Sequence, residues 1–158
     1  MALALLPEPE LLLSPWCGRR TVLVAIGTVD RRAVEAMRYA ALVPAQDRRA
    51  IHVGVDDDVV DAWCRAFPDG LALELVGGAD VAAAVTGQAR LALDQGADQV
   101  LVVVGRLAGA GLRRRWLHDH TADAITAGVD AVPGAQAVVL HVHPTPKEAT
   151  WPTSPTSR

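Results

Sequence analysis

Cysteine, lysine and aromatic side chains are all scarce in this 158-residue chain. Its two cysteines, Cys17 and Cys64, rule out a disulfide scaffold and have no metal-like spacing. Reducing cytosol is the simpler compartment, and Cys64, next to Trp63, is expected to be a buried, inert thiol. With one lysine (Lys147) among 15 basic residues, positive charge is almost entirely arginine. That suits bidentate anion contacts, and equally follows from GC-rich codon usage. A net charge of -3 carries no nucleic-acid footprint. Aromatics make up only 4%, so the core must be built from Ala and Val at close backbone spacing. No apolar run reaches bilayer length. The apolar start lacks a basic leader region and carries Pro7, Glu8, Pro9 and Glu10, so no signal peptide is expected. A cytoplasmic single-domain protein is the expectation.

What the chain does have is alternation. Residues 1–20, with prolines at 7, 9 and 15, read as an extended N-terminal arm. Strands are expected at Thr21–Ile26, Arg49–Val55, Leu71–Val76 (an edge strand, from Glu74), Gln99–Val104 and Gln136–Val142. Helices are expected over Arg31–Val43, Asp56–Phe67, Val81–Gln95 and about Thr121–Val132. In the first, Asp30 is the N-cap and Val34, Met37 and Ala41 share one face with Ala33 and Ala40 beside them, while Arg31, Arg32, Glu35 and Arg38 take the wet side. The second buries Val60, Trp63, Cys64 and Phe67. The fourth buries Ala122, Ile125, Val129 and Val132. A long loop from Gly105 to Thr121, carrying a short helix at Leu112–Leu117, is expected before the last helix, which Asp119 or Thr121 would cap. After Pro144 the chain is Pro, Thr and Ser, a disordered tail. Residues 21–143 therefore form the folded domain. The expected fold is α/β: a three-layer, doubly wound, five-stranded parallel sheet.

The run Gln99–Val104 is apolar throughout, as befits a strand covered on both faces. It empties into Gly105, Gly109 and Gly111 and then three arginines, where open parallel sheets bind ligands. Glycines allow close backbone approach, and free N–H groups with Arg106 and Arg113 nearby suit a phosphate. The same glycines also serve a sharp turn, and Arg113, Arg114 and Arg115 also read as a solvated helix start. His118, Asp119, His120, His141 and His143 do not converge: two residues apart on a helix face different ways. No metal site is expected. No nucleophile elbow or paired carboxylates appear, so no catalytic residue is expected.

Over Thr21 to His143 the chain resembles the universal stress protein domain, an adenine nucleotide alpha hydrolase-like fold, and the resemblance implies the strand order 3-2-1-4-5. Gly105 matches the first glycine of that family's phosphate loop, and Gly111-Leu112-Arg113-Arg114 matches its glycine-leucine-basic segment. The second glycine falls on Ala108, the final glycine-hydroxyl pair on His118-Asp119, and the acidic residue after strand one on Gly27. The resemblance implies a nucleotide-facing set of Gly27, Thr28, Val53, Gly105, Arg106, Ala108, Gly109, Gly111, Arg113, His118 and Asp119. At Ala108 a methyl group impedes a phosphate, and at Asp119 a carboxylate repels it. The site is thus expected to be degenerate, with ATP as the one cofactor it could take. The segments Val22–Gly27, Arg31–Ala40, Ile51–Val53, Trp63 and Arg114–Thr121 are similar to the cytosolic C-terminal domain of bacterial amino-acid permeases. A chain without membrane helices would be a free-standing relative. The resemblance implies a regulatory or binding module in the stress response. It also implies a homodimer through strand five, Gln136 to Val142, and contact with a transporter or another protein. An ATP-binding stress protein with slow hydrolysis is the alternative.

Overall fold

The computed structural model describes residues 18–108 and 112–143, with residues 112–119 described by their backbone alone. Strands and helices alternate as expected: β1 (Arg20–Ala25), α1 (Arg31–Leu42), β2 (Asp47–Val53), α2 (Asp57–Ala66), β3 (Leu73–Val76), α3 (Val81–Asp94), β4 (Gln99–Leu107), α4 (Leu112–Asp130) and β5 (Ala135–Val142). All strand pairs are parallel, in the order β3-β2-β1-β4-β5. The expected fold class is correct.

Side-chain alternation along the central strand divides the core in two. Val22, Val24 and Ile26 pack with Ala33, Ala36 and Ala40 of α1 and Trp63 of α2. Leu23 points the other way, to Val85 and Ala89 of α3 and Ile125 and Val129 of α4. A strand enclosed on both faces has no polar side to show, which is why β1 and β4 read as unbroken apolar runs. Each fully buried Val or Leu contributes at most about 1.5–3 kcal/mol.

Two helix faces differ from expectation. On α1 the expected Ala33 and Ala40 are buried together with Ala36, while Val34 and Met37 are half-buried and Ala41 is exposed. Small side chains let the helix axis approach the sheet, so the alanines won the inner face over larger neighbours. On α2 the buried residues are Val59 and Trp63; Val60 is half-buried and Cys64 is exposed. Trp63 sets that rotation. Its Nε1 donates to the Leu71 carbonyl at 2.9 Å, and its ring lies against Phe67 with centroids 4.3 Å apart.

The largest correction concerns the link from β4 to α4. The expected loop from Gly105 to Thr121 is not there. β4 runs three residues further, because Gly105, Arg106 and Leu107 pair with Leu140, His141 and Val142 of β5. α4 then forms one 19-residue helix from Leu112. Nothing between Leu112 and Ala127 is a proline or glycine, so nothing breaks it. Asp119 and Thr121 accordingly lie within the helix rather than at its cap. α3 ends as expected, with Gly96 at φ +96° just beyond it.

Candidate functional site

The sheet order puts the ends of β1 and β4 side by side, Ala25 opposite Val104. α1 leaves β1 toward one face, whereas α4 covers the other. A cleft of about 260 Å³ opens between them at the carboxyl ends of the strands. Its inner walls are apolar, with Val53, Val85, Val104 and Ile125 among them. Gly27, Thr28, Val53 and Gly105, four of the residues expected at a ligand site, line it together. Arg106 and Ala108 do not. Gly109 and Gly111 lie outside the described residues. Arg113, His118 and Asp119 fall on the amino-terminal part of α4, where only the backbone is described.

Two of the expected anion-binding features have other employment. A Cβ on Gly105 would sit 2.8 Å from the Arg32 Cβ and 2.9 Å from the Arg32 carbonyl oxygen. The glycine is there so that the first turn of α1 can cross β4, whatever ligand comes near. Arg106 is turned to α4, where its Nη1 lies 3.1 Å from Asp123 Oδ1 and its Nη2 3.2 Å from Oδ2. By contrast, a Cβ on Gly27 would meet nothing within 4 Å. The site of the missing acidic side chain is open space.

The rim at α1 is a closed network. Asp30 caps the helix, its Oδ1 accepting from the Arg32 backbone N–H at 2.8 Å. Arg32 Nε donates to Asp30 Oδ2 at 2.9 Å and its Nη2 to Thr28 Oγ1 at 2.7 Å, while the Thr28 hydroxyl donates to Asp30 Oδ2 at 2.9 Å. Partial burial pushes the Asp30 carboxyl up, but the hydrogen bonds and charge of Arg32, with help from Thr28, outweigh it and hold the carboxyl below its usual range. Arg32 was expected on the solvent side of α1. Its side chain is 24% exposed, folded back over the cleft by Asp30.

Sequence reasoning also missed His52, Thr121 and Val81, which line the same cleft. His52 follows Ile51 at the end of β2 and is 7% exposed. Its Nδ1 is 2.8 Å from the Ile26 carbonyl oxygen. A lone histidine near the end of an apolar strand, opposite Leu75 of β3, was the signal available.

Among the described residues no group of three or more His, Cys, Asp or Glu could hold a metal ion. No described helix is long and apolar enough to cross a membrane. Compared with known families, residues 18–143 match the one described as the KimA potassium transporter C-terminal domain. No curated protein matches the chain.

Proposed function

Because the chain belongs to the KimA potassium transporter C-terminal domain family, we propose that it is a non-catalytic regulatory module acting on a membrane transporter from the cytoplasmic side. The match spans the whole α/β domain, β1 through β5, and carries the reading. It agrees with the expected kinship to a permease C-terminal domain, with a potassium transporter in place of an amino-acid permease. Within this reading the domain is of universal stress protein type. Gly27, Thr28, Val53 and Gly105 belong to a ligand cleft that keeps the family position but has lost its hold on phosphates. Support for that loss comes from Gly105, packed against Arg32, and from Arg32 and Arg106, each already matched by a carboxylate. The edge of β5, bonded to β4 alone among the described strands, is the surface for a homodimer.

The test is potassium uptake in an uptake-deficient bacterial host carrying a KimA-type transporter stripped of its own C-terminal domain. Supplying this chain is expected to change the uptake rate at least about twofold; an unchanged rate rejects the proposal. The alternative, an ATP-binding stress protein, is favoured by one observation, a cleft at the topological switch point. Calorimetric titration with ATP and magnesium decides between them, and micromolar binding would replace the degenerate-site reading with the alternative.

A further inference from the structure

α3 is apolar on its outer side as well as its inner one. It buries Val85, Thr86, Ala89 and Ala92. On the opposite side Ala83, Gly87 and Leu91 follow one another at four-residue steps, all exposed. Leu91 is 42% exposed, and Val81 at the amino end 38%. Among the exposed positions of α3 only Arg90 and Asp94 are charged, whereas α2 exposes Asp57, Asp58, Asp61 and Arg65. A helix that is apolar all round is ordinarily covered. Among the described residues nothing covers this one: a Cβ on Gly87 would meet nothing within 4 Å.

The chain itself enters beside this face. Arg19 is bound to the turn that follows α3. Its backbone N–H donates to Asp98 Oδ2 at 2.6 Å, and its carbonyl accepts from the Asp98 N–H at 2.7 Å. Its Nη1 lies 3.3 Å from where a Cβ on Gly96 would stand. Residues 1–17 lie outside the described residues, and the family match begins after them, at residue 18. They carry Leu11, Leu12, Leu13 and Trp16, with Glu8 and Glu10 and neither lysine nor arginine. We infer that residues 11–17 cover the outer face of α3, running from its carboxyl end to its amino end. The lengths agree. Extended at about 3.3 Å per residue, that segment reaches about 23 Å. α3, with 14 residues at about 1.5 Å each, is about 21 Å long. Trp16 then lies by Leu91, and the leucines fall toward Gly87 and Ala83, where the missing side chain leaves room. Glu10 and Glu8 arrive at the positive end of the helix dipole, whose first turn carries no acid of its own. The contact is made within one chain and needs neither the cleft nor the transporter reading.

The test sets a nitroxide on one or other face of the full chain and reads the methyl resonances of Leu11, Leu12 and Leu13. One label is at Arg90→Cys on α3, with Cys17→Ser and Cys64→Ser. The control label is on the native Cys64, exposed on α2 across the sheet, with Cys17→Ser alone. The methyl signals should be at least about twofold weaker under the α3 label than under the control. Gly87→Arg sends a long charged side chain into open space from a helix it does not break. With the melting temperature unchanged, it should bring the broadening down to the control level. Leu12→Ser with Trp16→Ser should do the same for Leu11 and Leu13. That pair alters the segment and leaves the domain untouched, so a fold defect in the helix variant cannot decide the outcome. Broadening that survives both changes overturns the inference. So does equal or absent broadening under the two labels, which leaves the face to another protein. Broadening between chains, in a mixture of nitroxide-carrying and isotope-labelled protein, assigns the face to a second copy and overturns it as well.

Discussion

Asp30 does three things with one carboxylate: it caps α1, holds Arg32, and accepts from Thr28. Asp30→Ala should lower stability by about 1 kcal/mol through the cap alone. Since its folded-state pKa is depressed, the carboxylate stabilises the fold at pH above the unfolded value of about 3.9 and loses that contribution as pH falls through the lower folded value. Urea denaturation of wild type and Asp30→Asn between pH 7 and pH 2.5 checks this; the difference between them should shrink at the acid end. Gly105 and Gly27 form a contrasting pair. Gly105→Ala must push Arg32 Cβ or its backbone aside, and should cost about 1–3 kcal/mol. Gly27→Ala enters open space and should stay within about 0.5 kcal/mol of wild type. Equal denaturation midpoints for the two variants would remove the packing explanation of Gly105. Neither glycine's role was legible in the sequence, where a turn, a ligand approach and a helix crossing all call for the same residue. Asp30 was legible because capping is local: the cap lies two residues from the amide it receives.

At the scale of elements, α3 and α4 meet with unusually little room. A Cβ on Gly128 would lie 2.5 Å from Thr86 Oγ1, the enclosed hydroxyl without a partner. An alanine inside a helix ordinarily gains up to about 1 kcal/mol over glycine. Here Gly128→Ala should instead destabilise, by about 1–3 kcal/mol. Thr86→Ala removes the clashing atom, so the double variant should recover most of that loss. Additive effects in the double-mutant cycle would mean that the two positions do not touch. The elements themselves were readable where one periodicity ran unopposed, as in β1 and in the stripe Ala122, Ile125 and Val129. They were misread where tertiary pairing decided. Gly105-Arg106-Leu107 has the composition of a loop, yet β5 supplies the bonds that make it strand. The α2 stripe was misplaced by one residue because Val59 and Val60 are chemically equal, and only Trp63 reaching Leu71 chose between them.

For the whole molecule, the doubly wound parallel sheet followed from connection rules that need only the alternation of elements, while the strand order came from the family resemblance. The cleft's location came with it, since it is a property of the order. Its lining did not. Arg32 looked like a solvated charge and His52 like a strand residue among others. What makes them cleft residues is a network through Asp30 and a carbonyl of the neighbouring strand, 26 positions away. If β5 is the dimer edge, sedimentation of the chain should give twice its 16.7 kDa mass, and a monomer at tens of micromolar would reject that interface.

Arg32 and Arg106 are each answered by a carboxylate of the same chain, so neither brings an unmatched positive charge to the end of the sheet. Dissolved ions screen charge over about 8 Å at physiological ionic strength, but a partly buried pair in direct contact is screened much less. Under the proposed function, a module serving a potassium transporter works amid swings of salt. Side chains already paired within the chain would hold their places through those swings, where exposed single charges would answer to them.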